Sequence, residues 1–110
     1  MSRDFRVYLE DILDAARKIR EFTKGLKADD LSKDAKTLDA VIRNLEVIGE
    51  AVKRIPNDAR RKSPDTEWKK IAGLRDILIH EYFGIDVEIV WDIIQNKLPP
   101  LEAQIRQLLD

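Results

Sequence analysis

Arg75, His80 and Tyr82 stand within the run Leu74-Arg75-Asp76-Ile77-Leu78-Ile79-His80-Glu81-Tyr82, and His80 is the one histidine of the chain. A free imidazole titrates nearer to neutral pH than any other side chain, so His80 is the natural group for moving protons. A guanidinium five residues earlier suits phosphate, which it meets with paired, charge-assisted hydrogen bonds. Chemistry needing both a base and an acid of the imidazole type would have to take the second from another chain. On an ideal helix Arg75 and Tyr82 share a face, while His80 is turned from Arg75 by about 140°. Asp76 precedes His80 by four residues, a spacing at which helical side chains touch, and would orient the ring and favour its cation. The C-terminal end of the helix dipole favours that cation too, so a raised His80 pKa is expected. The same spacing would serve a surface ion-pair cluster or a helix cap. Metal binding is poorly served, because without cysteine Asp76 and His80 supply only two ligands.

A second polar cluster is Arg43-Asn44-Leu45-Glu46-Val47-Ile48-Gly49-Glu50-Ala51. Arg43 with Glu46, or Glu46 with Glu50, has the spacing of ordinary helix-surface contacts. Gly49 is less ordinary, since a mid-helix glycine costs about 0.5–1 kcal/mol relative to alanine. It is expected to mark a close approach, either of a helix inside the bundle or of a second chain.

These groups need elements to position them. The chain has 110 residues, 44% of them hydrophobic and 37% charged, which fits one helical domain over 1–110. Apolar residues recur at three and four, and strand-like alternation is missing. The periodicity predicts a first helix from about Asp4 to Thr23, stopped at Lys24-Gly25, then a polar connector over 26–34. A second helix is expected from about Ala35 to Ile55, ended by Pro56, and a charged loop over 56–65. Thr66 is read as the cap of a third helix, running from near Trp68 to about Tyr82 and broken by Gly84. Asp86 is read as the cap of a fourth helix, interrupted at Leu98-Pro99-Pro100-Leu101, with a short fifth from Pro99 to Leu109. The expected architecture is an all-α, four-helix up-and-down bundle with a short fifth helix.

Net charge is -1, so the chain as a whole is no basic nucleic-acid binder, yet charge is unevenly spread. Residues 53–75 carry 8 basic and 3 acidic groups, while 76–110 carry 2 basic and 7 acidic. The basic stretch is either a solvated face or an electrostatic track for a polyanion leading to His80. No run approaches the roughly 20 apolar residues of a membrane span. Met1-Ser2-Arg3-Asp4-Phe5 has no apolar signal core, and the lack of cysteine is compatible with a reducing cytoplasm, the expected location.

Arg75, then His80 and Tyr82, resembles the signature of HEPN domains, specifically of HepT-like ribonuclease toxins. Arg43-Asn44 followed by Ile48-Gly49-Glu50-Ala51 resembles that family's second-helix motif. Trp68-Lys69-Lys70-Ile71-Ala72-Gly73-Leu74-Arg75-Asp76 resembles the run into its arginine. Ile89-Val90-Trp91-Asp92 with Leu98-Pro99-Pro100-Leu101 resembles its closing helix. The resemblance implies a homodimeric, metal-independent endoribonuclease without cofactor, in which Arg75 and His80 of both chains meet in one cleft. Asp76 would orient His80, and Arg43, Asn44, Glu50 and Lys53 would be cleft or RNA-binding residues. It further implies a toxin–antitoxin pair, with an MNT-type nucleotidyltransferase antitoxin that transfers AMP to Tyr82. Two other readings stand beside it: a non-catalytic HEPN module that binds a nucleotide or partner, and a DNA-binding repressor, though no helix presents a basic recognition face.

Overall fold

Asp4 starts the first helix, its carboxylate accepting from the Arg6 backbone N–H at 2.9 Å. The computed structural model describes residues 4–80 and 86–110, and of Ile79 and His80 the backbone only. Helix α1 spans Phe5–Thr23 and buries Leu9, Ile12, Ala15, Ala16 and Ile19 along one stripe. It stops where Gly25 takes a φ of 79°, a left-handed value natural to glycine.

The expected connector over 26–34 contains a short helix, α2, at Ala28–Ser32. Asp30 accepts from the Lys27 N–H at 2.8 Å, and Leu31 is completely buried. One buried leucine contributes about 1.5–3 kcal/mol, enough to settle a turn that polar composition hides. Asp34 then caps α3, Ala35–Lys53, accepting from the N–H and hydroxyl of Thr37. Val41, Ile42, Leu45, Ile48 and Val52 form its buried stripe.

Helix α3 ends at Lys53 rather than Ile55, and its C-terminal carbonyls find a partner further along the chain. The Arg60 guanidinium donates to the carbonyls of Val52 at 2.8 Å and Ile55 at 3.0 Å. Arg60 belongs to α4, Asn57–Arg60, a single turn inside the expected loop. Its guanidinium also lies 5.9 Å from the centre of the Trp68 ring.

The expected third helix is two helices, α5 at Trp68–Ala72 and α6 at Leu74–His80, separated at Gly73. Thr66 does not cap it. Its hydroxyl donates to Gln104 Oε1 at 2.8 Å and shares a hydrogen bond with Ser63, so it ties this corner to the C-terminal helix. Asp86 does cap α7, Val87–Asp92, accepting from the Glu88 N–H at 3.0 Å. Pro99 and Pro100 do not break the helical course beyond α7. A π-helical turn over Ile93–Lys97 carries the chain into α8, Leu98–Leu109. A widened turn accommodates residues that lack an N–H and crowd the preceding turn, so the expected fourth and fifth helices are one continuous helical arm.

Every regular element among the described residues is helical, so the all-α, HEPN-like expectation holds. Helices α1 and α3 form the main packed pair, with α8 on α1 and α5 and α6 on α3. Leu9, Ile12, Ile19, Leu45, Ile48, Leu98 and Ile105 fill the shared core. Two contacts fasten α8 to α1: Arg6 donates to the Leu109 carbonyl at 2.9 Å, and Arg20 pairs with buried Glu102 at 3.0 Å. No helix among the described residues is long and apolar enough to cross a membrane.

Candidate functional site

Gly49 sets the geometry. A Cβ built there would lie 3.3 Å from the Ile71 carbonyl oxygen and 3.8 Å from that of Ala72. Helix α3 therefore rests directly on the C-terminal carbonyls of α5, closer than a side chain would comfortably allow. Of the two approaches open to the sequence reading, the one inside the bundle is formed. At that contact α5 ends, Gly73 turns the chain, and α6 begins with Leu74 buried and Arg75 exposed.

Arg75 thereby meets Glu50, the neighbour of Gly49. Its Nη1 lies 3.9 Å from Glu50 Oε1, an ion pair too long for a hydrogen bond. The same oxygen takes the ammonium of Lys53 at 3.1 Å. The hydrogen bond and charge of Lys53, then the charges of Arg75 and Arg54, hold the Glu50 carboxyl below the usual carboxylate range. Glu50 is an anion at neutral pH, while the Arg75 side chain remains 55% exposed and open to a ligand.

Both residues line an open groove of about 330 Å³. One wall is a stripe of α3 at three- and four-residue spacing, Arg43, Glu46 and Val47, then Glu50 and Ala51, continued by Arg54 just past its end. Tyr8 and Asp11 of α1 form the other wall. The groove is thus of mixed charge, with guanidiniums to bind phosphate and carboxylates between them.

The structure brings Arg43, Glu50 and Arg75 together and leaves Lys53 beside Glu50. It does not bring Asn44 into the groove. That side chain turns back along its own helix, donating to the Ala40 carbonyl at 2.8 Å. Asp76 is exposed on α6 and makes no hydrogen bond or ion pair among the described residues. Its expected contact with His80, and the expected rise in the His80 pKa, fall on a side chain outside the described residues, as does Tyr82. Neither Arg43–Glu46 nor any other ion pair engages Glu46 among the described residues. Among the described residues, no three His, Cys, Asp or Glu side chains gather where they could hold a metal ion.

The basic stretch is less free than its composition suggests. Arg60 is spent on α3's carbonyls, Arg61 pairs with Asp58 at 2.8 Å, and Lys70 pairs with Glu67 at 2.8 Å. Arg54, Lys62 and Lys69 remain exposed and without an ion pair among the described residues. Arg54 belongs to the basic stretch named from sequence, whereas Tyr8 and Asp11 were not singled out. A tyrosine and an aspartate three apart beside an apolar stripe carry no signal of their own until α3 lies against them.

Comparison with known proteins bears on this arrangement. The family model described as "Ribonuclease HepT-like" matches residues 12–108. A protein of Methanocaldococcus jannaschii, whose name provisionally calls it an RNase, is 50% identical over 107 residues, 97% of this chain and 88% of the relative. A Thermococcus cleftensis protein named "Probable ribonuclease HepT" is 45% identical over 108 residues, 98% of each chain. A protein of Caldanaerobacter subterraneus subsp. tengcongensis, whose name again provisionally calls it an RNase, is 45% identical over 104 residues, 94% of this chain and 93% of the relative. No solved structure matches the chain.

Proposed function

The chain belongs to the ribonuclease HepT-like family, and on that footing we propose that it is a metal-independent endoribonuclease working as a homodimer in the cytoplasm. One observation carries the reading: the half-exposed Arg75 guanidinium stands at the start of the short helix that ends in His80, and opens onto a groove with two further arginines.

The chemistry is transfer of a phosphoryl bond within the RNA. A base takes the proton of a ribose 2′-hydroxyl, and its oxygen attacks the adjacent phosphorus. The bond to the 5′-oxygen breaks, and an acid protonates that oxygen as it leaves. The products are a 2′,3′-cyclic phosphate and a 5′-hydroxyl. His80 of one protomer and His80 of its partner divide the two proton transfers, as a two-fold axis through the cleft allows. Arg75 from each side holds the phosphate and offsets the charge that develops on it. DNA has no 2′-hydroxyl and is not cut.

The test is end-labelled RNA incubated in EDTA with the native protein and with His80→Ala. Native protein leaves cyclic phosphate ends, and His80→Ala loses at least about a hundredfold in rate, the usual size of one acid–base role. Equal rates for the two proteins, or complete inhibition by EDTA, overturn the reading.

Activity is controlled by a cognate MNT-type nucleotidyltransferase that works with this chain as antitoxin to toxin. It transfers AMP from ATP, with magnesium, to the Tyr82 hydroxyl. The added phosphate repels RNA. Incubation with such a transferase raises the intact mass of the native chain by one or more AMP units, and leaves Tyr82→Phe unchanged.

A further inference from the structure

The groove between α1 and α3 contains more than phosphate capture requires. Arg43, Arg54 and Arg75 suffice to bind a phosphodiester, yet carboxylates line the same groove and would repel one. Glu50 has an answer to this, because Lys53 and Arg75 neutralise it. Glu46 has none. It is half-buried on the same stripe and accepts no hydrogen bond or ion pair among the described residues. Its oxygens meet water in the open groove rather than a protein donor, so a ligand with two adjacent N–H groups can take the place of that water.

A nucleobase supplies such donors. Guanine offers N1–H and N2–H side by side, matching the two oxygens of a carboxylate. Adenine and cytosine each set one amino group beside a ring nitrogen acceptor, and uracil flanks its single N–H with two carbonyls, so a carboxylate meets repulsion in all three. Val47 and Ala51, on the same stripe as Glu46, offer apolar contact to the base ring. A volume of about 330 Å³ is at the small end of ligand sites, suited to a single nucleotide.

We propose that this groove is a base-reading subsite that takes one unpaired guanosine next to the phosphate held by Arg75, with the Glu46 carboxylate accepting from N1–H and N2–H. The inference rests on the ribonuclease reading for its context. The base-reading contact itself is a binding property and can be measured without cleavage.

The test has two arms. In the first, fluorescent 2′-O-methyl trinucleotides, which cannot be cut, are titrated with native protein and with Glu46→Gln, whose melting curve is recorded alongside. Native protein binds the trinucleotide with central guanosine about tenfold more tightly than those with adenosine, cytidine or uridine, the discrimination of one bidentate contact. Glu46→Gln flattens that ratio. In the second, an RNA pool with a randomised single-stranded loop is cut and its ends are sequenced. Guanosine is enriched beside the cut by native protein, and Glu46→Gln loses the enrichment whatever its overall rate. Binding without a guanosine preference, or a preference that survives Glu46→Gln, overturns the proposal. If native protein cuts no RNA but keeps the Glu46-dependent preference in the first arm, the subsite stands and the ribonuclease reading falls. If it cuts RNA with no base preference, the reverse holds.

Discussion

Glu50 and Arg75 show how one residue can both prepare and limit a site. The carboxylate draws the guanidinium toward the groove, yet it competes with any phosphate that Arg75 would bind. Glu50→Gln removes that competitor and frees Lys53. Affinity for an uncleavable RNA is expected to rise by about two- to fivefold, the scale of one exposed ion pair. The salt dependence of binding steepens, because more cationic charge is then available to displace counterions. Filter binding across a salt series reads both, and weaker binding by Glu50→Gln would contradict the competitor role. Asn44 teaches the opposite lesson, since neighbouring a groove residue in sequence left it bonded to Ala40 on the flank of the helix.

Among the elements, the contact of α3 with the α5–α6 junction matters most for the site. Gly49→Ala would gain helix propensity of about 0.5–1 kcal/mol in an isolated helix. Here the new methyl meets the Ile71 carbonyl at 3.3 Å, and such overpacking typically costs about 1–3 kcal/mol. The substitution is expected to lower the melting temperature and to reduce RNA cleavage together, because α6 carries Arg75. A rise in melting temperature would mean that the α5 carbonyls shift without resistance. Caps behave more simply. Asp86 could be read as a cap in advance because its partner, the Glu88 N–H, is two residues away. Thr66 has equal credentials in sequence, but its hydroxyl is claimed by Gln104, 38 residues off.

For the whole molecule, charge links stability to pH. Asp14, Asp34, Glu50 and Glu67 all have carboxyls held below the usual range. The causes are Arg17 and Lys18 for Asp14, the Thr37 hydroxyl and N–H for Asp34, Lys53 for Glu50 and Lys70 for Glu67. A group whose folded-state pKa is lowered binds its proton less readily when folded. Its stabilisation is complete above the ordinary carboxylate range of about pH 4, and is lost as pH falls through the lowered value. All four are solvent-exposed, so each contributes little, but they act in one direction. Thermal melts are expected to be flat from neutrality to about pH 5 and to fall below it. Melts that improve on acidification would contradict these shifts.

The amino-acid sequence by itself determined the helical class, the stripes of α1 and α3, the stop at Gly25 and the cap at Asp86. Each depends on residues within a turn or two of one another, where periodicity and local hydrogen bonding decide. It also carried the run of residues that marks the family, and it singled out Gly49 as a place of close approach. Only the tertiary structure decided what approaches Gly49, why α5 ends at Gly73, and how Arg60 completes α3. The same holds for the groove, which residues of α1 and α3 line together although a long connection joins the two helices. Such contacts depend on surfaces that exist only once distant helices have packed, and no local spacing encodes them.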